Sequence, residues 1–313
     1  MLRRSFLKLS TSALASTILP VQFGALKNGS RKFTMSLNPG AIGVGAPLDE
    51  LISYAADFRF EALSPPVSEV RNLSDAQREA VLARLKQHNL AWGSAGLPVD
   101  FRKDAATFKS GVEALPGTAA QLKKAGVTRM NTWIMPRHDT LTYRENFAQH
   151  AARLREIATI LGDNGIRLGL EYVGPYTLRA RWRYSFVHSL KETQELLAAI
   201  DRPNAGVVLD SFHWFTAHET AEDLLSLNNA DIVACDLNDA RIGFSVDEQV
   251  DGKRMLPAAT GVIDLKAFLE VLIGIGYDGP VRAEPFNKTL NDLPNEPAVA
   301  ATSAAMHEAF NLI

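Results

Sequence analysis

The chain has 313 residues, of which 46% are hydrophobic and 22% are charged. This balance is typical of a globular protein with enough apolar side chains for a sizeable core, and it excludes disordered and collagen-like classes. The formal net charge of −2 provides no overall basic field, so the sequence predicts neither a nucleic-acid partner nor stable membrane insertion. Because Cys235 is the single cysteine, no intramolecular disulfide can hold the fold together.

The N-terminus carries an arginine pair, Arg3-Arg4, followed by a weakly apolar run rich in Ala, Ser and Thr. This pattern is typical of a twin-arginine export signal, whereas a membrane span needs about 20 strongly apolar residues. We therefore predict a leader over residues 1–30, a folded unit over 31–313, and a periplasmic or otherwise exported location. A cytoplasmic location is the alternative if the arginine pair is accidental.

From residue 33 onward, short apolar runs alternate with longer segments of helical periodicity, which predicts repeated strand–helix units. The predicted strands cover residues 33–44, 60–64, 90–97, 129–135, 167–173, 205–210, 232–237 and 281–286. Helices are predicted over 75–88, 147–161, 190–200 and 265–275. Eight strands are what a closed (β/α)8 TIM barrel requires, and we predict a single barrel of this kind. The alternative is an open doubly wound sheet. Its ligand site is usually built by a Gly-x-Gly-x-x-Gly motif after the first strand, and this sequence has no such motif there.

Each of the last four predicted strands carries a carboxylate within its last three positions: Glu171, Asp210, Asp236 and Glu284. In a barrel of this class, the carboxyl ends of the strands form the mouth where catalytic groups gather. Four carboxylates converging there would repel one another strongly unless protons or a divalent cation compensated them. We therefore predict one divalent metal ion held by these four residues. Oxygen ligands favour Mn²⁺, Mg²⁺ or Co²⁺ over Zn²⁺.

Several motifs in the second half of the chain resemble those of sugar-phosphate isomerases and epimerases with a xylose isomerase-like TIM barrel, a group that includes ketose 3-epimerases and inosose dehydratases. The resemblance extends from about residue 33 to the C-terminus. It implies metal ligands at Glu171, Asp210, position 236 and Glu284, but Asp236 departs from the family, whose members usually have His there. The motifs that carry it are Leu170-Glu171-Tyr172, Leu209-Asp210-Ser211-Phe212-His213-Trp214, Leu237-Asn238-Asp239-Ala240 and Gly276-Tyr277-Asp278-Gly279-Pro280 leading to Glu284-Pro285-Phe286.

The same resemblance implies that His213 and Arg241 contact oxygens of the substrate. Trp182, in a loop rich in Arg and aromatic residues, is a hypothetical platform for a sugar ring. Residues 241–259 are predicted to form a long loop over the opening.

These residues predict proton abstraction next to a carbonyl group, with Glu171 and Glu284 as the base and acid pair and an enediolate intermediate. The predicted activity is a metal-dependent sugar isomerase or epimerase that acts on a free sugar or keto-sugar. A dehydratase or β-eliminating lyase acting on keto-glycosides or inososes, and a non-catalytic carbohydrate-binding barrel, remain alternatives. An abasic-site endonuclease shares the barrel, but the balanced charge argues against it. The predicted partner is a small-molecule sugar, and the sequence leaves a homo-oligomer open.

Overall fold

The computed structural model describes residues 30–313, and all of the predicted leader except Ser30 lies outside them. No helix within the described range combines the length and the apolar character that crossing a membrane would require.

Within residues 30–313, eleven strands form two sheets. Nine of them make one parallel sheet in the order β3-β2-β1-β11-β10-β9-β7-β5-β4, and β6 pairs with β8 in an antiparallel ribbon. The strands are β1 (Thr34–Leu37), β2 (Ala62–Leu63), β3 (Ala91–Trp92), β4 (Ala95–Gly96), β5 (Arg129–Trp133), β6 (Arg137–His138), β7 (Arg167–Glu171), β8 (Tyr184–Ser185), β9 (Ala205–Asp210), β10 (Ile232–Leu237) and β11 (Pro280–Ala283).

The two edges of the nine-stranded sheet, β3 and β4, are halves of one interrupted strand, so the sheet closes into an eight-stranded barrel. Gly93 and Ser94 separate the two halves. A Cβ atom at Gly93 would lie only 2.5 Å from Ser36 Oγ of β1, so the chain needs glycine where it passes this close to the neighbouring strands. The predicted (β/α)8 barrel is confirmed.

Helices surround the barrel and cover the outer face of the sheet. They are α1 (Leu48–Asp57), α2 (Val67–Val70), α3 (Asp75–Gln87), α4 (Ala105–Lys124), α5 (Tyr143–Gly162), α6 (Tyr176–Arg179), α7 (Leu190–Ile200), α8 (Ser211–Thr216), α9 (Ala221–Leu224), α10 (Leu265–Ile275), α11 (Lys288–Asn291) and α12 (Asn295–Phe310). The strands are therefore buried on both faces, which explains their near-continuous apolar sequence.

Several predicted bounds differ from the observed ones. The first strand was predicted to run to residue 44, but β1 ends at Leu37 because Pro39 opens a 3₁₀ helix, Pro39–Ile42. The last strand stops at Ala283, three residues before Phe286, which adopts a positive φ of 39° that a strand cannot accommodate. Helix α5 begins four residues before the prediction, because Thr142 and Glu145 form a capping box.

Candidate active site at the barrel mouth

The four predicted carboxylates meet at the carboxyl ends of neighbouring strands. Glu171 closes β7, Asp210 closes β9, Asp236 lies one residue before the end of β10, and Glu284 directly follows β11. One oxygen from each residue lies within 4.8 Å of the others, and the first three side chains are buried. The structure thus brings together the four residues on which the predicted metal site depends.

Asp210 connects its strand to the short helix that follows. Its Oδ1 accepts hydrogen bonds from the backbone amides of Phe212 (2.6 Å) and His213 (3.1 Å), which caps α8. Its Oδ2 accepts from Asn238 Nδ2 and from Arg254 Nη1, each at 2.8 Å. The cap turns His213 into the barrel mouth, beside the carboxylates.

Asp236 is paired with Arg282, its register partner on β11. Arg282 Nε donates to Oδ1 and Nη2 donates to Oδ2, both at 2.6 Å, and both side chains are buried. Burial alone would lower the pKa of Arg282, but the adjacent Asp236 carboxylate outweighs it and raises that pKa above its ordinary value. Sequence reasoning assigned the compensation of Asp236 to a metal ion alone and missed Arg282. The available signal was an arginine inside the otherwise apolar strand Pro280–Ala283.

Arg254 is the second functional residue that sequence reasoning missed. Its guanidinium is 1% exposed, and Nη1 lies 2.8 Å from Asp210 Oδ2 and 3.5 Å from Glu284 Oε2. Its Nη2 donates to Asp251 Oδ1 at 2.7 Å and to His213 Nε2 at 3.0 Å. The loop predicted to cover the mouth therefore supplies a buried cation to the carboxylate cluster.

Of the three predicted substrate-contacting residues, His213 lines the cavity at the mouth, whereas Arg241 and Trp182 do not. Arg241 stays within its own loop, where it donates to the carbonyl of Glu248 at 3.1 Å and stacks on Phe244 at 3.8 Å. Trp182 stacks on the guanidinium of Arg137 at 3.4 Å, so it reaches the cavity only through that arginine. In this structure Arg254, and not Arg241, is the arginine of this loop that contacts the carboxylate cluster.

Burial and mutual repulsion raise the pKa values of the two glutamates. Burial raises the pKa of Glu171 well above its usual range, and the charges of Glu284, Asp210 and Asp236 raise it further. Burial, and then Asp236, raise the pKa of Glu284 to about 8, against the opposing effect of Arg254 and Arg282. Each glutamate is thus stabilised by gaining a proton or a neighbouring cation.

The imidazole of His213 is neutral at physiological pH, because burial lowers its pKa to about 4. A guanidinium can only donate, so His213 Nε2 accepts the hydrogen bond from Arg254. That nitrogen also lies 3.6 Å from Glu171 Oε1.

The donor atoms of the cluster fit a hard divalent cation. Glu171 Oε1 is buried without a hydrogen-bond partner. Each oxygen of Asp236 accepts one bond from Arg282 and keeps a second lone pair, and Glu284 makes only a long contact to Arg254. Asp210 Oδ2 already accepts two bonds, so it could join a metal shell only by releasing one of them. Carboxylate oxygens are the ligands that Mg²⁺ and Mn²⁺ prefer.

A cavity of about 290 Å³ opens above the carboxylates. Its wall combines the acidic and basic groups described above with aromatic side chains, of which Trp133 is 39% and Phe286 38% exposed. Such a pocket, small and carrying a few convergent polar groups, suits a single sugar-sized molecule. In (β/α)8 barrel enzymes the active site lies at this end of the barrel, so the cavity is the candidate site of this chain.

Residues 52–309 match the family model of the xylose isomerase-like TIM barrel, and the chain belongs to this family. This confirms the resemblance inferred from the sequence motifs. Two solved structures share the fold. A xylose isomerase domain protein from Alicyclobacillus acidocaldarius is 29% identical, with a TM-score of 0.78 over 90% of this chain and 99% of that one. The IOLI protein, whose crystal structure contains a bound zinc atom, is 19% identical, with a TM-score of 0.72 over 88% of this chain and 97% of that one.

The similar proteins of known activity are enzymes. The inosose isomerase of Bacillus subtilis is 30% identical over 47% of this chain and 49% of its own length, so the chain spans about half of that relative. The ketose 3-epimerase of Arthrobacter globiformis is 26% identical over 66% of this chain and 67% of its own length. The 3-dehydroshikimate dehydratase of Pseudomonas aeruginosa is 28% identical over 45% of this chain and 21% of its own length. The predicted likeness to isomerases and epimerases is confirmed.

Proposed function

We propose that the protein is a sugar isomerase or epimerase that removes and returns a proton next to a carbonyl group of a free sugar or keto-sugar. The observation that carries this proposal is the presence of two glutamates, Glu171 and Glu284, on the wall of one small cavity, with an oxygen of each in the same cluster. Two carboxyl groups in one pocket can divide the roles of base and acid.

The chain's own residues have the following roles in this proposal. Glu171, whose Oε1 has no hydrogen-bond partner, takes the proton from carbon, and Glu284 returns it. Arg254 orients a substrate oxygen and stabilises the negative charge of the enediolate, because its guanidinium already lies between Asp210 and Glu284. Neutral His213 contacts a substrate hydroxyl.

A divalent cation completes the proposed site, with Mn²⁺, Mg²⁺ or Co²⁺ favoured over Zn²⁺. It would be held by Glu171, Asp210, Asp236 and Glu284 and would supply a Lewis acid toward the substrate's carbonyl and hydroxyl oxygens. Asp236 would act there as a carboxylate whose charge Arg282 compensates.

Solvent exchange tests the proposed reaction directly. The purified protein, loaded with Mn²⁺, is incubated in D₂O with a panel of ketoses, inososes and keto-glycosides, and the sugars are examined by NMR. We expect deuterium at the carbon next to the carbonyl of at least one compound, together with its isomer or epimer, and loss of both after chelation of the metal. Exchange accompanied by loss of a hydroxyl or an aglycone would establish the lyase alternative, which the dehydratase relative favours. No exchange in any compound would reject the enzymatic proposal in favour of a carbohydrate-binding barrel.

We also propose that residues 1–30 direct export of the folded unit 31–313, on the basis of the arginine pair at positions 3 and 4. Replacing both arginines with lysine is expected to keep the protein in the cytoplasm, because the receptor for this signal reads the arginine pair. Cell fractionation and immunoblotting measure the result, with Lys27→Arg as a matched control outside the pair. Unchanged export of the double variant would contradict the twin-arginine assignment, whereas finding the unaltered protein only in the cytoplasm would establish the cytoplasmic alternative.

A further inference from the structure

A second cavity of about 370 Å³ adjoins the central one. Trp133, Met135 and Arg137 line both cavities and form the junction between them. The side cavity extends from this junction toward helix α5 and has more room than the central cavity itself.

The side cavity contains two buried acceptors that have no partner. Asn146 and His150, both on α5, are 1% and 3% exposed and line the cavity. Asn146 Oδ1 and His150 Nε2 make no hydrogen bond. His150 Nδ1 lies 2.9 Å from the backbone carbonyl of Asn146, so it carries the ring proton and Nε2 is an acceptor.

The position of the His150 ring is set by its packing. The ring lies between Phe101 and Phe186, with centroid distances of 5.4 and 4.8 Å. Unpartnered acceptors are costly in a protein interior, so these two atoms favour a cavity occupant that donates hydrogen bonds.

The junction between the cavities offers a hydrogen-bond donor, whereas the side cavity offers acceptors. Arg137 Nη1 is buried without a partner, while the guanidinium stacks on Trp182. Trp133 is 39% exposed, and Arg102 lies over its ring at 4.3 Å. The junction therefore offers an unpaired donor and an aromatic surface, which together suit the ring oxygen and the C–H face of a sugar.

We propose that the side cavity binds a second glycosyl unit, so that the substrate is a glycoside of at least two units with its reacting unit in the central cavity. This inference rests on the proposed function. A glycosyl unit carries several hydroxyls, so two of them can donate to Asn146 and His150 while a third oxygen accepts from Arg137. A carboxylate has no proton to donate to the two acceptors, and an apolar aglycone would leave all three atoms unpaired.

Binding of D-fructose and of three glycosyl-fructoses (turanose, lactulose and isomaltulose) tests the proposal, by isothermal titration calorimetry on the full-length protein. We expect at least one disaccharide to bind tenfold or more tightly than D-fructose. Asn146→Leu and His150→Phe should each lower the ratio of disaccharide to monosaccharide affinity by roughly tenfold, the effect of losing one buried hydrogen bond. Gln149→Leu is the matched control, since Gln149 is a half-buried amide on the same helix outside the lining, and this variant should keep the ratio.

A stability measurement separates ligand binding from a structural role. Because its acceptor is unpaired, Asn146→Leu should leave the melting temperature of the free protein unchanged or raised, whereas loss of a structural contact would lower it. Equal affinities for D-fructose and all three disaccharides, or an unchanged ratio in both cavity variants, would overturn the side-cavity proposal. Solvent exchange with D-fructose alone would then still support the isomerase function. Conversely, a disaccharide preference without exchange in any sugar would retain the cavity and reject the catalysis.

Discussion

Replacing Glu171 with Gln is expected to reduce the rate of proton exchange and turnover by about 10²- to 10⁴-fold, the range that a positioned general acid or base contributes. Glu171 Oε1 has no hydrogen-bond partner in the fold, so the substitution removes the proposed base without breaking an existing bond through that atom. Glu284→Gln should produce a loss of similar size, because one carboxyl removes a proton from the carbon and the other supplies a proton to it.

The decisive measurements for the glutamate pair are single-turnover deuterium exchange and elemental analysis of each variant after loading with Mn²⁺. Both variants should bind less metal, because an amide oxygen replaces a carboxylate ligand. Glu222→Gln, which alters an exposed carboxylate on α9, should retain full activity and metal content. Full metal content and full turnover in both Glu171→Gln and Glu284→Gln would refute the site assignment.

Replacing Arg282 with Met is expected to lower the free energy of unfolding by about 3–5 kcal/mol, the usual cost of leaving one member of a buried ion pair without its partner. The two side chains of the Asp236–Arg282 pair are 0% and 3% exposed, and each is the other's nearest opposite charge, with both contacts at 2.6 Å. Arg282→Met therefore leaves Asp236 as an uncompensated anion beside three further carboxylates.

Urea unfolding of the metal-free protein measures this effect. The double variant Asp236→Leu with Arg282→Met should recover much of the lost stability, because removing both charges also removes the desolvation cost. Arg144→Met, at an exposed position on α5, is the control and should change stability by less than about 0.5 kcal/mol. A cost below about 1 kcal/mol for Arg282→Met would show that the pair is not a tightly coupled buried one.

The pair also bears on the His that the family resemblance implies at position 236. Substituting His for Asp236 alone would leave the guanidinium of Arg282 buried beside a neutral ring and would incur the same unpaired-charge cost. A conversion to His therefore requires a second change at position 282. No motif around Asp236 indicates this dependence, because the partner lies 46 residues away on the adjacent strand.

The sequence by itself determined the barrel, the order of its strands and the four carboxylates at its mouth. These features follow from local patterns: apolar runs that mark buried parallel strands, helical stripes between them, and a carboxylate that ends or closely follows each of the last four strands. The same local signals predicted the limits of β9 and β10 to the residue, whereas a proline and a positive φ shortened the first and last strands.

The tertiary structure alone decided how the charges are compensated and which loop residue reaches the centre. Arg282 pairs with Asp236 because β10 and β11 are adjacent in that register, and Arg254 reaches Asp210 because its loop folds back over the mouth. Both contacts join residues more than 40 positions apart, and periodicity within a short window carries no information about such distances. The side cavity likewise exists only where α5 packs against the strand ends. The unpaired acceptors of Asn146 and His150 are indistinguishable in the sequence from ordinary polar residues of a helix.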